Sequence, residues 1–78
     1  MQDRCFEVRG INMVATGEHI RKLREDNGFT VKDLQKVFGL EQPQAIYKWQ
    51  KGMCLPDMEK MIVLSNMFHT TINEILVV

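Results

Sequence analysis

Read for where its apolar side chains fall, the chain repeats at three and four residues rather than two, and that spacing predicts helices. Ile20 and Leu23 open the pattern behind Thr16-Gly17-Glu18, which reads as an N-cap with an acid in the first turn. Asn27-Gly28 reads as a stop, so a first helix is expected over residues 17–26. Thr30 with Asp33 three residues on forms a shortened capping box. Val31, Leu34, Val37 and Phe38 supply the buried face behind it, and Gly39 ends that helix.

After a short turn, Pro43 suits the first position of a third helix, because its missing N–H would have no partner there. This helix is expected over residues 42–51 with a stop at Gly52, Ile46 and Trp49 facing inward and Gln44, Tyr47, Lys48 and Lys51 outside. Asp57 caps a fourth helix with Met58, Met61, Ile62, Leu64, Ser65 and Phe68 at buried spacing. His69 stands where a C-capping glycine is common, and Thr71 with Glu74 makes a full capping box for a last helix near residues 72–76. The expected fold is all-α, a compact bundle of about five short helices.

The two ends differ from this pattern. Cys5-Phe6-Glu7-Val8-Arg9 alternates like a strand and Gly10 breaks it, while Ile75-Leu76-Val77-Val78 is rich in β-branched residues. Either the two pair, with each other or with a second chain, or they fray. Residues 1–13 are accordingly set apart as an N-terminal arm and residues 14–78 as the helical domain.

Composition narrows the class without deciding it. The 78 residues suffice for one modest core, and no stretch approaches the roughly 20 apolar residues that span a bilayer. No positive flank leads into an apolar run at the N-terminus, so a cytoplasmic protein without a secretory signal is expected. Ten basic and ten acidic residues give a net charge of zero, yet the charge is uneven. Residues 42–52 hold Lys48 and Lys51 and no acid, Arg21, Lys22 and Arg24 form a second basic cluster, and Asp57, Glu59 and Glu74 outnumber Lys60 later on. A mild basic face suits a reader of one duplex sequence better than a non-specific binder.

Cys5 and Cys54 are expected as reduced thiols, and with His19 and His69 they have no metal-ligand spacing. No Ser, Cys or acid is placed to form a nucleophilic unit with either histidine, so neither enzyme nor cofactor is expected.

Two helices joined by a short turn at Gly39, the second with a polar outer face, form a helix-turn-helix anchored by Leu34, Leu40, Ile46 and Trp49. Such a pair presents its second helix to a major groove about 12 Å wide.

Several runs then resemble one family in register. They are Ile20-Arg21-Lys22-Leu23-Arg24-Glu25-Asp26-Asn27-Gly28, the segment from Thr30 to Gly39, Trp49-Gln50-Lys51-Gly52 with Leu55-Pro56 following, and Leu64-Ser65 through Thr71-Ile72-Asn73-Glu74-Ile75-Leu76. Together they resemble the Cro/phage-repressor-type regulators, also called the xenobiotic response element (XRE) family, over residues 16–76. Pro43-Gln44-Ala45-Ile46-Tyr47-Lys48-Trp49 resembles a subgroup from Gram-positive bacteria and their mobile elements.

The resemblance implies a lambda-repressor-like, sequence-specific DNA-binding domain, a small transcriptional repressor that reads an operator as a homodimer. It implies that Gln44 reads a base edge, which agrees with the pairing of its amide to adenine. Lys48 would reach guanine or a phosphate, and Tyr47 a thymine methyl or a phosphate. Gln42 would bind a phosphate at the helix start, and Lys51 one just beyond its end. Against these stand plainer readings, with Lys48 and Lys51 merely solvated and Tyr47 flat against a neighbouring helix.

The chain also departs from the family pattern. Val31 stands where a phosphate-holding Gln is usual, Gln35 replaces a small residue, the turn from Gly39 to Ile46 is one residue longer, and Glu41 adds an acid beside the expected phosphates. A module that binds a protein, such as an antitoxin or the partner of another regulator, uses the same fold and is the rival reading.

Overall fold

The structure, a computed structural model, describes residues 10–78. Among the described residues are five helices and no strand: α1 (Met13–Asp26), α2 (Val31–Val37), α3 (Gln44–Gln50), α4 (Met58–Met67) and α5 (Ile72–Ile75). The fold is all-α, as the apolar spacing implies. The strand expected over residues 5–9 and the state of Cys5 lie outside the described residues, while Cys54 is free and exposed.

α1 begins a full turn before the expected start at Gly17. Its N-cap is Asn12, whose Oδ1 accepts the Ala15 N–H at 3.0 Å, and Met13, placed in the arm by sequence, is its first residue. Thr16 is not a cap but a fully buried residue. Its hydroxyl accepts the Val77 N–H at 2.9 Å and donates to the Val77 carbonyl at 3.4 Å, while the Asn12 N–H reaches that carbonyl at 2.7 Å. A hydroxyl that caps a helix and one that holds a distant strand of backbone look alike in sequence.

Val77 is thus tied down rather than frayed, and residues 76–78 form no strand among the described residues. Ile75 is buried and Val77 is bonded to α1, leaving Val78 exposed. His19 Nδ1 adds a second tie, lying 3.1 Å from the Ile75 carbonyl and donating to it.

α2 follows its capping box: Thr30 Oγ1 accepts the Asp33 N–H at 3.0 Å, and Asp33 Oδ2 accepts the Thr30 N–H at 2.8 Å. Leu34 is fully buried and Val31 and Phe38 pack partly against the core, but Val37, expected inside, is half exposed. Gly39 continues past the helix with φ 64°, a left-handed turn that a side chain would strain. The long turn that follows is braced by Gln35. Its Nε2 donates to the Glu41 carbonyl at 3.1 Å, and its own carbonyl accepts the Leu40 N–H at 2.9 Å.

On α4, capped by Asp57, the buried residues are Met61, Leu64 and the C-capping Phe68. Met58 and Ile62 were expected inside on spacing but are exposed by 68% and 48%. A helix packed on one side buries only a stripe, and these two fall beyond its edge. His69 holds φ 55°, the left-handed role expected of it, and Thr71 with Glu74 closes the second capping box.

The capping carboxylates are all held below the ordinary carboxylate range. The causes are chiefly the Thr30 backbone N–H at Asp33, the Lys60 backbone N–H at Asp57 and the Thr70 hydroxyl at Glu74.

All five helices meet on one core of Ile20, Leu34, Ile46, Trp49, Met61, Leu64, Phe68 and Ile75. Burying each such side chain stabilises the fold by about 1.5–3 kcal/mol against its exposure. Trp49 takes the edge-to-face contact of Phe38 at 5.6 Å between ring centres, with planes at 84°.

The tightest packing is between α1 and the end of α3. A Cβ on Gly17 would stand 2.6 Å from the Gln50 carbonyl oxygen and 2.8 Å from the Gly52 nitrogen, and would also strike the Trp49 carbonyl. Gly52 returns the constraint: its φ is 77°, and a Cβ there would lie 2.7 Å from the Met13 carbonyl oxygen. Two glycines therefore let the backbones of α1 and α3 touch, which fixes how α3 is carried.

Candidate nucleic-acid interface

α3 is held from behind by Ile46 and Trp49, both buried three residues apart, so the opposite face must point out. Pro43 occupies the N-cap rather than the first helical position, with no side chain capping the helix. Beyond Gln50 the helix stops at Lys51, the C-cap, and the chain turns through Gly52. The helix is thus 44–50, shorter at both ends than the 42–51 read from sequence.

Gln44, Tyr47, Lys48 and Lys51 are all exposed. Their spacing of three, four and seven residues aligns them on one face. Together with Met53 they line a single shallow hollow of about 480 Å³. Four of the five residues singled out in sequence therefore converge. Gln42 does not: it is exposed in the turn before α3 and outside that hollow.

Tyr47 is 46% exposed, so about half of its surface is open on this face. This face carries two ammonium groups, an amide and a phenol, and no carboxylate. Such a set can donate to phosphate oxygens, and its amide can both donate and accept at a base edge. Met53, 66% exposed at the rim, had no signal in the helical spacing because it follows the stop at Gly52.

On the flank of α3 sits Arg24, read in sequence as one of a basic cluster but not as a tie between helices. Arg24 Nε donates to Gln50 Oε1 at 2.9 Å, and its Nη1 donates to the Phe29 carbonyl at 2.8 Å. Its side chain keeps only 12% of its exposure, so Arg24 ties α1, the loop after it and α3 together. The basic cluster of Arg21, Lys22 and Arg24 is consequently not an open patch. Arg21 meets Glu25 at 3.2 Å and Lys22 meets Asp26 at 3.5 Å, each pair one turn apart on α1.

Among the described residues no group of His, Cys, Asp and Glu is placed to hold a metal ion, and no helix is long and apolar enough to cross a membrane.

Solved structures share this fold. The restriction-modification controller protein C.AhdI from Aeromonas hydrophila superposes with a TM-score of 0.68 at 19% identity, covering 82% of this chain and 96% of that one. The clp gene regulator ClgR from C. glutamicum gives 0.66 at 16% identity, covering 86% of each chain. At these identities the likeness is one of fold. No family model and no curated protein sequence matches the chain.

Proposed function

We propose that this protein is a small transcriptional regulator that binds double-stranded DNA at a defined operator, setting α3 into the major groove. The observation that carries this reading is the outward face of α3, where Gln44, Tyr47, Lys48 and Lys51 converge without an acid while Ile46 and Trp49 anchor the helix behind them. The fold it shares with a controller protein and a gene regulator supports the same reading. Gln44 reads a base edge, Lys48 a guanine or a phosphate, Tyr47 a thymine methyl or a phosphate, and Lys51 a phosphate beyond the helix. Gln42 contacts a phosphate from the turn.

The protein acts in the cytoplasm, as an XRE-type repressor of the Gram-positive and mobile-element kind, and without catalysis. It binds as a homodimer over two half-sites about 34 Å apart. Met58 and Ile62, exposed one turn apart on α4, support a second copy as the partner.

Selection from a random duplex library, followed by titration at physiological salt, tests the proposal. A recurrent sequence should emerge, and Gln44→Ala should cost about 1–3 kcal/mol and relax preference at one base pair. If no sequence is preferred, and Gln44→Ala with Lys48→Ala leaves duplex affinity unchanged, the reading is wrong and a protein partner becomes the better one.

A further inference from the structure

Among the described residues that line the hollow of α3, Met53 alone is aliphatic; Gln44, Tyr47, Lys48 and Lys51 each carry a polar or charged group. Met53 is 66% exposed and stands outside the core. A side chain so placed contributes little to the packing of the bundle, which leaves its apolar surface without a structural use.

Its backbone is nevertheless fixed twice over. The Gly52 N–H donates to the Trp49 carbonyl at 3.1 Å and the Met53 N–H to the Lys48 carbonyl at 2.9 Å, the paired bonds that close a helix through a left-handed glycine. Such a closure turns the residue after the glycine toward the helix face one turn back, here the side of Tyr47 and Lys48. Gly52 is itself pressed on the start of α1, where a Cβ would lie 2.8 Å from the Cα of Val14. The position of Met53 beside α3 is therefore set by backbone contacts and not by its own flexible side chain.

A duplex shows three kinds of feature in its major groove: hydrogen-bond donors, acceptors and the C5 methyl group of thymine. Gln44 can read the first two and Lys48 the second. Neither an amide nor an ammonium gains from a methyl group, which only an apolar surface rewards. Methionine suits that contact because its unbranched, polarizable thioether adapts to an irregular surface. We infer that Met53 is a specificity-determining residue that packs on the C5 methyl group of a pyrimidine, thymine or 5-methylcytosine, at the edge of the sequence that α3 reads. The inference rests on α3 being the DNA-reading helix. It gives the methyl contact to Met53 and leaves the phenol of Tyr47 for a phosphate.

The test uses the full chain and the duplex that selection returns, with uracil put in place of each thymine in turn. Uracil pairs with adenine as thymine does and differs only in lacking the methyl group. At one position uracil should weaken wild type roughly four-fold, the share of one buried methyl. Met53→Ala should lose the difference between thymine and uracil at that position, and Met53→Leu, still apolar, should keep it. Placed at the same position, 5-methylcytosine should bind wild type better than cytosine by a similar factor, while Met53→Ala binds the two alike. The tighter of the thymine and 5-methylcytosine duplexes identifies the pyrimidine that supplies the methyl group.

Unfolding midpoints of the variants exclude a folding defect. Uracil losses that are equal in wild type and Met53→Ala at every position overturn the inference, and so does a wild type indifferent to uracil throughout. In either case a recurrent sequence whose preference Gln44→Ala relaxes keeps the operator reading standing without the methyl contact. Absence of any preferred sequence overturns both.

Discussion

Gly17→Ala sets two physical rules against each other, and the structure decides which wins. In the interior of a helix, alanine is worth about 0.5–1 kcal/mol over glycine, because glycine surrenders more backbone freedom on folding. Position 17 lies inside α1, so propensity alone makes the variant more stable. The added methyl, however, would sit 2.6 Å from the Gln50 carbonyl oxygen and 2.8 Å from the Gly52 nitrogen, where carbon-to-oxygen contacts normally begin near 3.3 Å.

Every atom it meets is backbone, so no side chain can swing away and α1 must part from α3 by roughly 0.7 Å. A gap of that order forfeits about a quarter or more of the dispersion energy along the seam. The core that Ile20 shares with Ile46 and Trp49 then loosens. Overpacking of this severity costs about 3 kcal/mol, and subtracting the helix gain leaves a net loss of about 2 kcal/mol.

For a domain with total stability near 4–12 kcal/mol, that corresponds to a melting temperature lower by roughly 8–16 °C. Urea unfolding followed by far-ultraviolet circular dichroism and by the fluorescence of Trp49, the only tryptophan, measures it directly. A variant as stable as wild type, or more so, would refute the close approach of α1 to α3.

Other outcomes follow from the same structure. Thr16→Val keeps the shape but removes both bonds to Val77, and should cost about 1–3 kcal/mol with faster amide exchange at Val77. Because folding depresses the pKa values of Asp33, Asp57 and Glu74, their contribution is complete above the unfolded values and is withdrawn as pH falls through the folded ones. Helicity should therefore decline on acidification below about pH 4, and Asp33→Asn should blunt that decline; a flat profile down to pH 2 counts against the caps. If the proposed homodimer forms through α4, Met58→Glu with Ile62→Glu should leave the fold intact but give a smaller mass than wild type by sedimentation at tens of micromolar. Equal masses remove α4 as the dimer face.

Much of the fold could be read in advance wherever the deciding interaction is local. The Thr30–Asp33 and Thr71–Glu74 boxes, the Asp57 cap and the left-handed residues Gly39 and His69 each involve neighbours within a few positions. Such signals survive the loss of tertiary context. The failures share the opposite property. Thr16 looks like a cap until Val77, 61 residues away, claims its hydroxyl. Arg24 looks like one of three surface cations until Gln50, 26 residues on, takes its Nε.

Val37, Met58 and Ile62 fit the apolar stripe by spacing, but the width of the stripe depends on how many helices cover it. Sequence does not carry that number. The site divides the same way. Gln44, Tyr47, Lys48 and Lys51 share a face because helical geometry alone puts them there, whereas the place of Met53 and the tie made by Arg24 exist only once α1 has been laid against α3.

The knot at Val77 has a use beyond stability. Its carbonyl takes the Asn12 N–H and its N–H takes the Thr16 hydroxyl, so the backbone that leads into α1 and the backbone that leaves α5 lie side by side. A segment whose entry and exit lie side by side, as Asn12 and Val77 do, behaves as a cassette. The segment from Asn12 to Val77 could be spliced into a surface loop of a host protein without prising the host apart. Such an insertion would leave α3 and its outward face where they are, because that helix is held by α1 and the core and not by anything beyond Asn12 and Val77.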